Sequence, residues 1–298
     1  MSIDFEDLVN LNVNNLLVID SLNMAFRWRK TVTGWSHKLV STITSLAGSY
    51  QAKDVVVLGD GGSSYRKNLY PEYKANRKKG DQTDEEKQEW NDFFMEYEEA
   101  MRQVASQYPI LKFKGVEADD IVAYIVKHLY NEYTHIWMVS SDRDWDLLIG
   151  PNVSRFSLFS KKEFTEANFE EHYGYPLEMH IDVKVLNGDT GDNIPGIMGV
   201  GPKRAVAILE KFGPTAMDVM DALPVAGTAK YIQELNKFED KILLNYELMD
   251  LVSFADTAVK DYKKEIDLHI KYLKGELQHL PQISETVMER KERMKDDL

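Results

Sequence analysis

The chain has 298 residues, with 36 basic and 49 acidic side chains giving a formal net charge of −13, 43% hydrophobic residues and 29% charged ones. That is the composition of one large α/β domain or two modest ones with a core of useful size, and it excludes a disordered or fibrous chain. The absence of cysteine excludes disulfides, thiolate zinc sites and cysteine nucleophiles. Residues 1–15 are acidic without a basic residue, unlike the start of a signal peptide, and are expected to be a flexible N-terminus. No apolar run reaches the ~20 residues of a membrane span, so a cytoplasmic protein without a membrane partner is expected.

Leu16 to Asp20 reads as a short buried strand ending on an acid, and Asp54 to Asp60 as a second ending the same way. Residues 61–80 then hold six Lys/Arg and one Glu, whereas 81–100 hold nine acids and one Lys. Such a reversal suggests an element with one basic face; a solvated loop before a surface helix would give the same balance. Through the acidic part, Trp90, Phe93, Phe94, Tyr97, Met101, Val104, Ala105 and Tyr108 recur at helical spacing. Glu117-Ala-Asp119-Asp120 opens another helix, with Ile121, Val122, Ile125, Val126 and Leu129 on its apolar stripe. Ile136 to Val139 forms a third strand and runs into Ser141-Asp142-Arg143-Asp144. After about residue 185 only helices are expected.

Apolar strands alternating with amphipathic helices predict an α/β fold, a mainly parallel doubly wound sheet with helices on both faces. Chemistry in such sheets collects beyond the carboxyl ends of the strands, where Asp20, Asp60 and Asp142 fall. With Glu117, Asp119, Asp120, Asp144, Asp189 and Asp192 they make nine acids in four clusters. Each cluster alone has a structural explanation: a helix cap for 117–120, a turn or shared face for the Asp142/Asp144 and Asp189/Asp192 pairs. Their convergence would be repulsive without hard cations, and an all-oxygen donor set suits Mg²⁺ or Mn²⁺. Two such ions about 3.5–4 Å apart are a recurring solution for phosphodiester cleavage. No Walker A loop, HExxH or G-x-S-x-G motif offers a competing chemistry.

Asn193-Ile-Pro-Gly-Ile-Met-Gly199-Val-Gly201-Pro-Lys203-Arg204, leading into an apolar helical stripe, is a helix–hairpin–helix pattern at about 186–213. Gly199 and Gly201 permit close backbone approach, and Lys203 and Arg204 add charge at a helix start suited to phosphate.

The order Asp20, Asp60, Pro71-Glu-Tyr-Lys74-Ala-Asn-Arg77, Val116-Glu-Ala-Asp-Asp120, Ser141-Asp-Arg-Asp144, Gly188-Asp-Thr-Gly-Asp-Asn193 and Gly199-Val-Gly-Pro-Lys-Arg204 resembles the flap endonuclease (5′-nuclease) superfamily. It is similar to the stand-alone bacteriophage enzymes and the 5′-nuclease domain of bacterial DNA polymerase I, over roughly residues 16–250. The resemblance implies a nuclease core at 16–185, an arch or clamp at about 61–108 that passes the 5′ strand, and a helical region at 186–298. It implies cleavage of 5′ flaps and 5′ ends of branched DNA in replication and repair. Asp20, Asp60, Glu117 and Asp119 would serve a first Mg²⁺, and Asp119, Asp142, Asp144, Asp189 and Asp192 a second. Asp120 matches the phage and bacterial pattern and would join the metal-site acids. Lys74 and Arg77 would be the catalytic cations, aimed together by a helical turn. Arg27 would contact phosphate, and Tyr73 would either stack a base or pack inside the arch. Arg143 stands where relatives often have Gly. A monomer is expected, with K⁺ at the hairpin by resemblance and any polymerase a separate protein. A catalytically inactive branched-DNA binder and a PIN-like ribonuclease are the alternatives.

Overall fold

The computed structural model describes residues 13–30, 34–77 and 83–280. Most of the expected N-terminal segment, residues 78–82 of the basic stretch and the end of the charged tail lie outside the described residues.

The central sheet is built from β1 (Asn15–Asp20), β2 (Ala52–Leu58), β3 (Ile110–Leu111), β4 (His135–Val139), β5 (Val153–Ser157) and β6 (Lys162–Phe164). Their order is β3-β2-β1-β4-β5-β6, parallel throughout except for β6, which pairs antiparallel with β5. β1 is buried at every position, as expected for a strand covered on both faces. Leu16 and Val18 face the helix Ala118–Leu129, while Leu17 and Ile19 face the helices Ser36–Ser49 and Asp84–Ala105. Deleting one such side chain to alanine would cost about 2–5 kcal/mol.

Four sequence expectations are adjusted. The second strand begins at Ala52 and stops at Leu58, so Asp60 lies two residues beyond it. β3, β5 and β6 were not foreseen: β3 has two residues, and β5 carries buried Ser154 and Arg155 where an apolar run would have marked a strand. The acidic helix ends at Ala105, ahead of Tyr108. Strands also do not cease at 185, because β7 (Gly188–Asp189) and β8 (Ile194–Pro195) form a small antiparallel hairpin.

The helix Asp84–Ala105 has a Thr83/Glu86 capping box and buries Phe93, Tyr97, Ala100, Met101 and Val104 against the sheet layer. Its C-terminal half is therefore core, which narrows what can arch over the site. The later helices, from His180–Asn187 to Lys263–Leu273, extend the core on the face of the Ala118–Leu129 helix. Sheet order reverses at β1, between β2 and β4, and the crevice beyond that switch point is where an open α/β sheet places its site.

Candidate active site

Asp20 ends β1 and caps the short helix Ser21–Ala25, accepting from Asn23 N at 3.1 Å through Oδ1. Its Oδ2 accepts from Ser140 Oγ at 2.8 Å, and the same hydroxyl accepts from Asp142 N at 3.0 Å. Ser140 thus spaces the acids at the ends of β1 and β4. Arg155, 1% exposed, fixes that corner by donating to Ser140 O at 2.9 Å while pairing with Asp146 through two nitrogens. Asp142 starts the 3-10 turn Arg143–Leu148 and accepts from Asp144 N at 3.0 Å. The pair Asp142/Asp144 is held by a turn, one of the two arrangements its spacing allowed.

Beyond β2, the chain at Asp60 meets the loop before Glu117 through Gly61 N to Val116 O, 3.0 Å, and Gly115 N to Gly61 O, 2.8 Å. A Cβ on Gly61 would lie 1.7 Å from Phe113 O, so only glycine lets Asp60 approach Glu117 this way. Glu117 occupies the N-cap position of its helix but makes no side-chain cap. The capping explanation therefore fails for this residue. Its carboxylate instead receives Arg66 Nη1 at 2.8 Å and the Lys74 ammonium.

Lys74 has a left-handed backbone, φ 56°, anchored by its N–H to Asp192 O at 2.9 Å. It is followed by a 3-10 turn, Ala75–Arg77, closed by Arg77 N to Lys74 O at 3.1 Å, so a tight helical turn brings the two cations together. Lys74 Nζ lies 3.6 Å from Asp192 Oδ2, and Arg77 Nη2 2.6 Å from Asp192 Oδ1. Asn76 donates to Thr190 O and Asn193 to Glu72 O, both at 2.7 Å, which zips the base of the expected arch onto the 189–193 turn. Asp189 Oδ1 accepts from Gly191 N and Asp192 N, so this pair also sits on a turn and not on a helical face.

Three residues go beyond the sequence reading. Arg66, 3% exposed, grips Asp120 with both terminal nitrogens at 2.8 and 2.9 Å. That engagement turns Asp120 into a partner of Arg66. Lys184 donates to Asp144 Oδ1 at 2.7 Å and approaches Asp189 Oδ2 at 3.4 Å. Ser140 is the third. Lys184 left a faint trace as a cation inside an apolar helical run; Arg66 was indistinguishable from Lys67 beside it. Base stacking by Tyr73 is corrected: the ring is 3% exposed, and its hydroxyl donates to Asp192 Oδ2 at 2.8 Å. The ring packs with the buried Ile194, Leu248 and Met249.

Among the described residues no three acids close into a ready-made metal shell, because ammonium and guanidinium groups stand between them. The cations leave four acids without an ion pair among the described contacts: Asp20, Asp60, Asp119 and Asp142. Asp60 accepts only Gly62 N, at 2.7 Å, and Asp119 only Trp145 Nε1, at 2.6 Å. Burial pushes Asp20 up to about 7, offset in part by Ser140 and Asn23. Burial and the neighbouring Asp144 push Asp142 up to about 6, and burial with Asp142 raises Asp119 well above the carboxylate range. Burial also opposes ionisation of Glu117, but Lys74 and Arg66 outweigh it and hold its pKa below the ordinary value. This leaves a group of buried oxygen donors short of positive charge, the chemistry that suits a hard divalent cation.

Arg27 is exposed on the 3-10 turn Phe26–Trp28, its guanidinium 5.7 Å from the Trp28 ring. Gly199 (φ 81°) and Gly201 lie between the β7–β8 hairpin and the helix Pro202–Phe212, which Gly201 caps. Lys203 is exposed in its first turn. Arg204 is exposed as well, folded back onto Gly199 O and over the Tyr231 ring.

Residues 15–174 match the family described as 5′-3′ exonuclease, N-terminal resolvase-like domain, and residues 175–269 the family described as 5′-3′ exonuclease, C-terminal SAM fold. The chain belongs to the flap endonuclease (5′-nuclease) superfamily. It is 40% identical over 251 residues to the flap endonuclease of Escherichia phage T5, spanning 82% of this chain and 86% of that protein. It is 35% identical over 213 residues to DNA polymerase I of Rhizobium leguminosarum, 72% of this chain but 19% of the polymerase. Among solved structures, a T5 flap endonuclease variant in a pseudo-enzyme–product complex with DNA and metal ions superposes with TM-score 0.84 at 37% identity, covering 88% of this chain and all of the other. The T5 5′-exonuclease with zinc ions bound gives the same score at 38% identity, again over 88% of this chain and all of its own. The flap endonuclease fold therefore extends through both the sheet and the C-terminal helices.

Proposed function

We propose that this protein is a Mg²⁺-dependent, structure-selective 5′-nuclease that hydrolyses phosphodiester bonds at 5′ flaps and 5′ ends of branched DNA. The observation that carries the reading is the set of carboxylates beyond β1, β2 and β4 joined to Lys74 and Arg77 at one crevice. Asp20, Asp60, Glu117 and Asp119 would hold one ion, and Asp119, Asp142, Asp144, Asp189 and Asp192 a second, directly or through water. Bound divalent ions supply a lowered pKa for the attacking water and charge stabilisation for the leaving oxygen. Asp120 is reassigned to hold Arg66, which keeps Glu117 ionised.

Lys74 Nζ and the Arg77 guanidinium face the same crevice and would stabilise charge developing on the scissile phosphate. Lys74 is anchored through its backbone to the turn that carries Asp192, so cation and acid are positioned as one unit. Arg27 would contact a phosphate on the approach to the site. Gly199, Gly201, Lys203 and Arg204 would hold the duplex backbone, together with K⁺ at the hairpin, Arg204 swinging off Gly199 O to do so. Replication or repair in the cytoplasm of a bacterium or phage-infected host, as a monomer beside a separate polymerase, is the setting this activity suits.

A 5′-flap oligonucleotide incubated with Mg²⁺ tests the reading. Cleavage near the junction that is abolished by chelator is expected. An intact protein that leaves the flap uncut, or that cuts it equally in excess chelator, would overturn it.

A further inference from the structure

Phe159 is 88% exposed, far more than any other large apolar side chain among the described residues. It sits in the turn between β5 and β6, and its position is set by the catalytic corner. β5 runs parallel to β4 and pairs Val139 with Phe156, so both strands end at the edge where the acids gather. Ser140 N donates to Phe156 O at 3.2 Å, and Ser157 Oγ to Ser141 Oγ at 3.1 Å. Phe159 N itself donates to Ser141 Oγ at 3.3 Å. Ser141 immediately precedes Asp142. The phenyl group is therefore mounted on the residue next to a proposed metal ligand.

The turn is built and not loose. Lys161 N closes it onto Ser157 O at 2.8 Å, and Ser160 N reaches Ser157 Oγ at 3.4 Å. Lys161 takes a left-handed backbone, φ 56°, which lets the chain reverse into β6. Lys161 and Lys162, two and three residues further along the chain, are exposed as well. An isolated exposed apolar side chain ordinarily needs no explanation. Here the ring stands on a hydrogen-bonded tip held to Ser141, in a turn that also carries two exposed lysines. That combination of a flat apolar face with phosphate-attracting cations is what a stacked nucleobase requires.

We propose that Phe159 is a substrate-positioning residue that stacks against a nucleobase of the DNA lying over the Asp142 side of the site, with Lys161 and Lys162 attracting the adjoining phosphates. The proposal rests on the nuclease reading above and assigns to this turn a contact outside the carboxylate and hairpin machinery. Stacking of this kind changes affinity by about fivefold to a hundredfold when the aromatic ring is removed.

The experiment compares F159A, F159L and F159W with the wild-type chain on a 5′-flap substrate carrying 2-aminopurine at successive positions around the junction. Binding is read in Ca²⁺ and cleavage in Mg²⁺. F159A is expected to weaken flap binding at least fivefold, with the loss carried by KM more than by kcat, and to abolish fluorescence quenching at one 2-aminopurine position. F159W is expected to restore both and F159L neither. Unchanged affinity in F159A, rescue by leucine equal to that by tryptophan, or a lowered melting temperature in F159A with the same loss at every probe position would each overturn stacking. A wild-type chain that does not cut the flap at all would instead refute the nuclease reading, so the two failures are distinguishable.

Discussion

Lys74 carries the sharpest expectation at the scale of single residues. Its ammonium is shared by Glu117 and Asp192, and burial, although it opposes the charge, is outweighed by these acids and Asp119, so its pKa is raised. It stays cationic across any working pH. Lys74→Ala should lower kcat by roughly a hundredfold or more, equivalent to about 3 kcal/mol of barrier, while flap affinity in Ca²⁺ changes by less. Single-turnover cleavage alongside equilibrium binding separates the two; a collapse of binding with turnover preserved would make Lys74 a grip residue. Arg66 tests stability. Its guanidinium, Glu117 and Asp120 are each no more than 3% exposed in their side chains. Arg66→Met leaves buried Asp120 without its partner and takes one of two cations from Glu117, and should cost about 3–5 kcal/mol in denaturant unfolding. The acids were legible one by one in the sequence because they cluster just beyond strands, at a helix start and beside glycine-rich turns. Their partners were not, since Arg66 reaches Asp120 across 54 residues and Lys74 reaches Glu117 across 43.

Among the elements, the β7–β8 hairpin is the most tightly constrained. A Cβ on Gly196 would lie 1.9 Å from Asn187 O, and one on Gly188, whose φ is 73°, would lie 2.2 Å from Gly196 N. The two backbones touch, and that contact delivers Asp189 and Asp192 to the crevice on one side and the helix Pro202–Phe212 on the other. Gly196→Ala should therefore destabilise the fold by about 1–3 kcal/mol and weaken duplex binding together. Thermal unfolding and binding to a blunt duplex read both effects; a variant with wild-type stability would show that the hairpin has room to adjust. The glycine density marked this segment in the sequence as a hairpin between helices. The two-residue ladder within it was not visible, because strands that short leave no periodic pattern.

The whole molecule links charge, metal and pH. Asp20 is pushed up to about 7 and Asp142 to about 6, in each case first by burial, against an ordinary value of 3.8. Over roughly pH 4–7 the folded metal-free protein then holds more protons than the unfolded chain, so these groups make its stability fall as pH rises. A divalent ion competes with those protons and should bind better across the same window. The melting temperature in chelator is expected to decline from pH 5 to 8, while the increment given by Mg²⁺ grows. An increment equal at both ends would contradict this account. The net charge of −13 belongs here too. Setting aside the eight acids proposed to hold metal leaves 41 acids against 36 bases. Chelated protein should accordingly hold a flap more weakly than protein in Ca²⁺, by electrophoretic mobility or anisotropy.

The sequence by itself determined the acids at strand ends, the long amphipathic helix and the glycine hairpin. These features are written in local periodicity and spacing, and their order along the chain is specific enough to mark the family. Only the tertiary structure decided which cation answers which carboxylate, that Tyr73 is a buried donor to Asp192 and not a stacking platform, and that the Phe159 turn is held to Ser141. Ion pairs and burial depend on distances between segments far apart in sequence, and no local pattern records them. The pairing sets which acids stay ionised and which are raised, and so where a metal ion finds its charge.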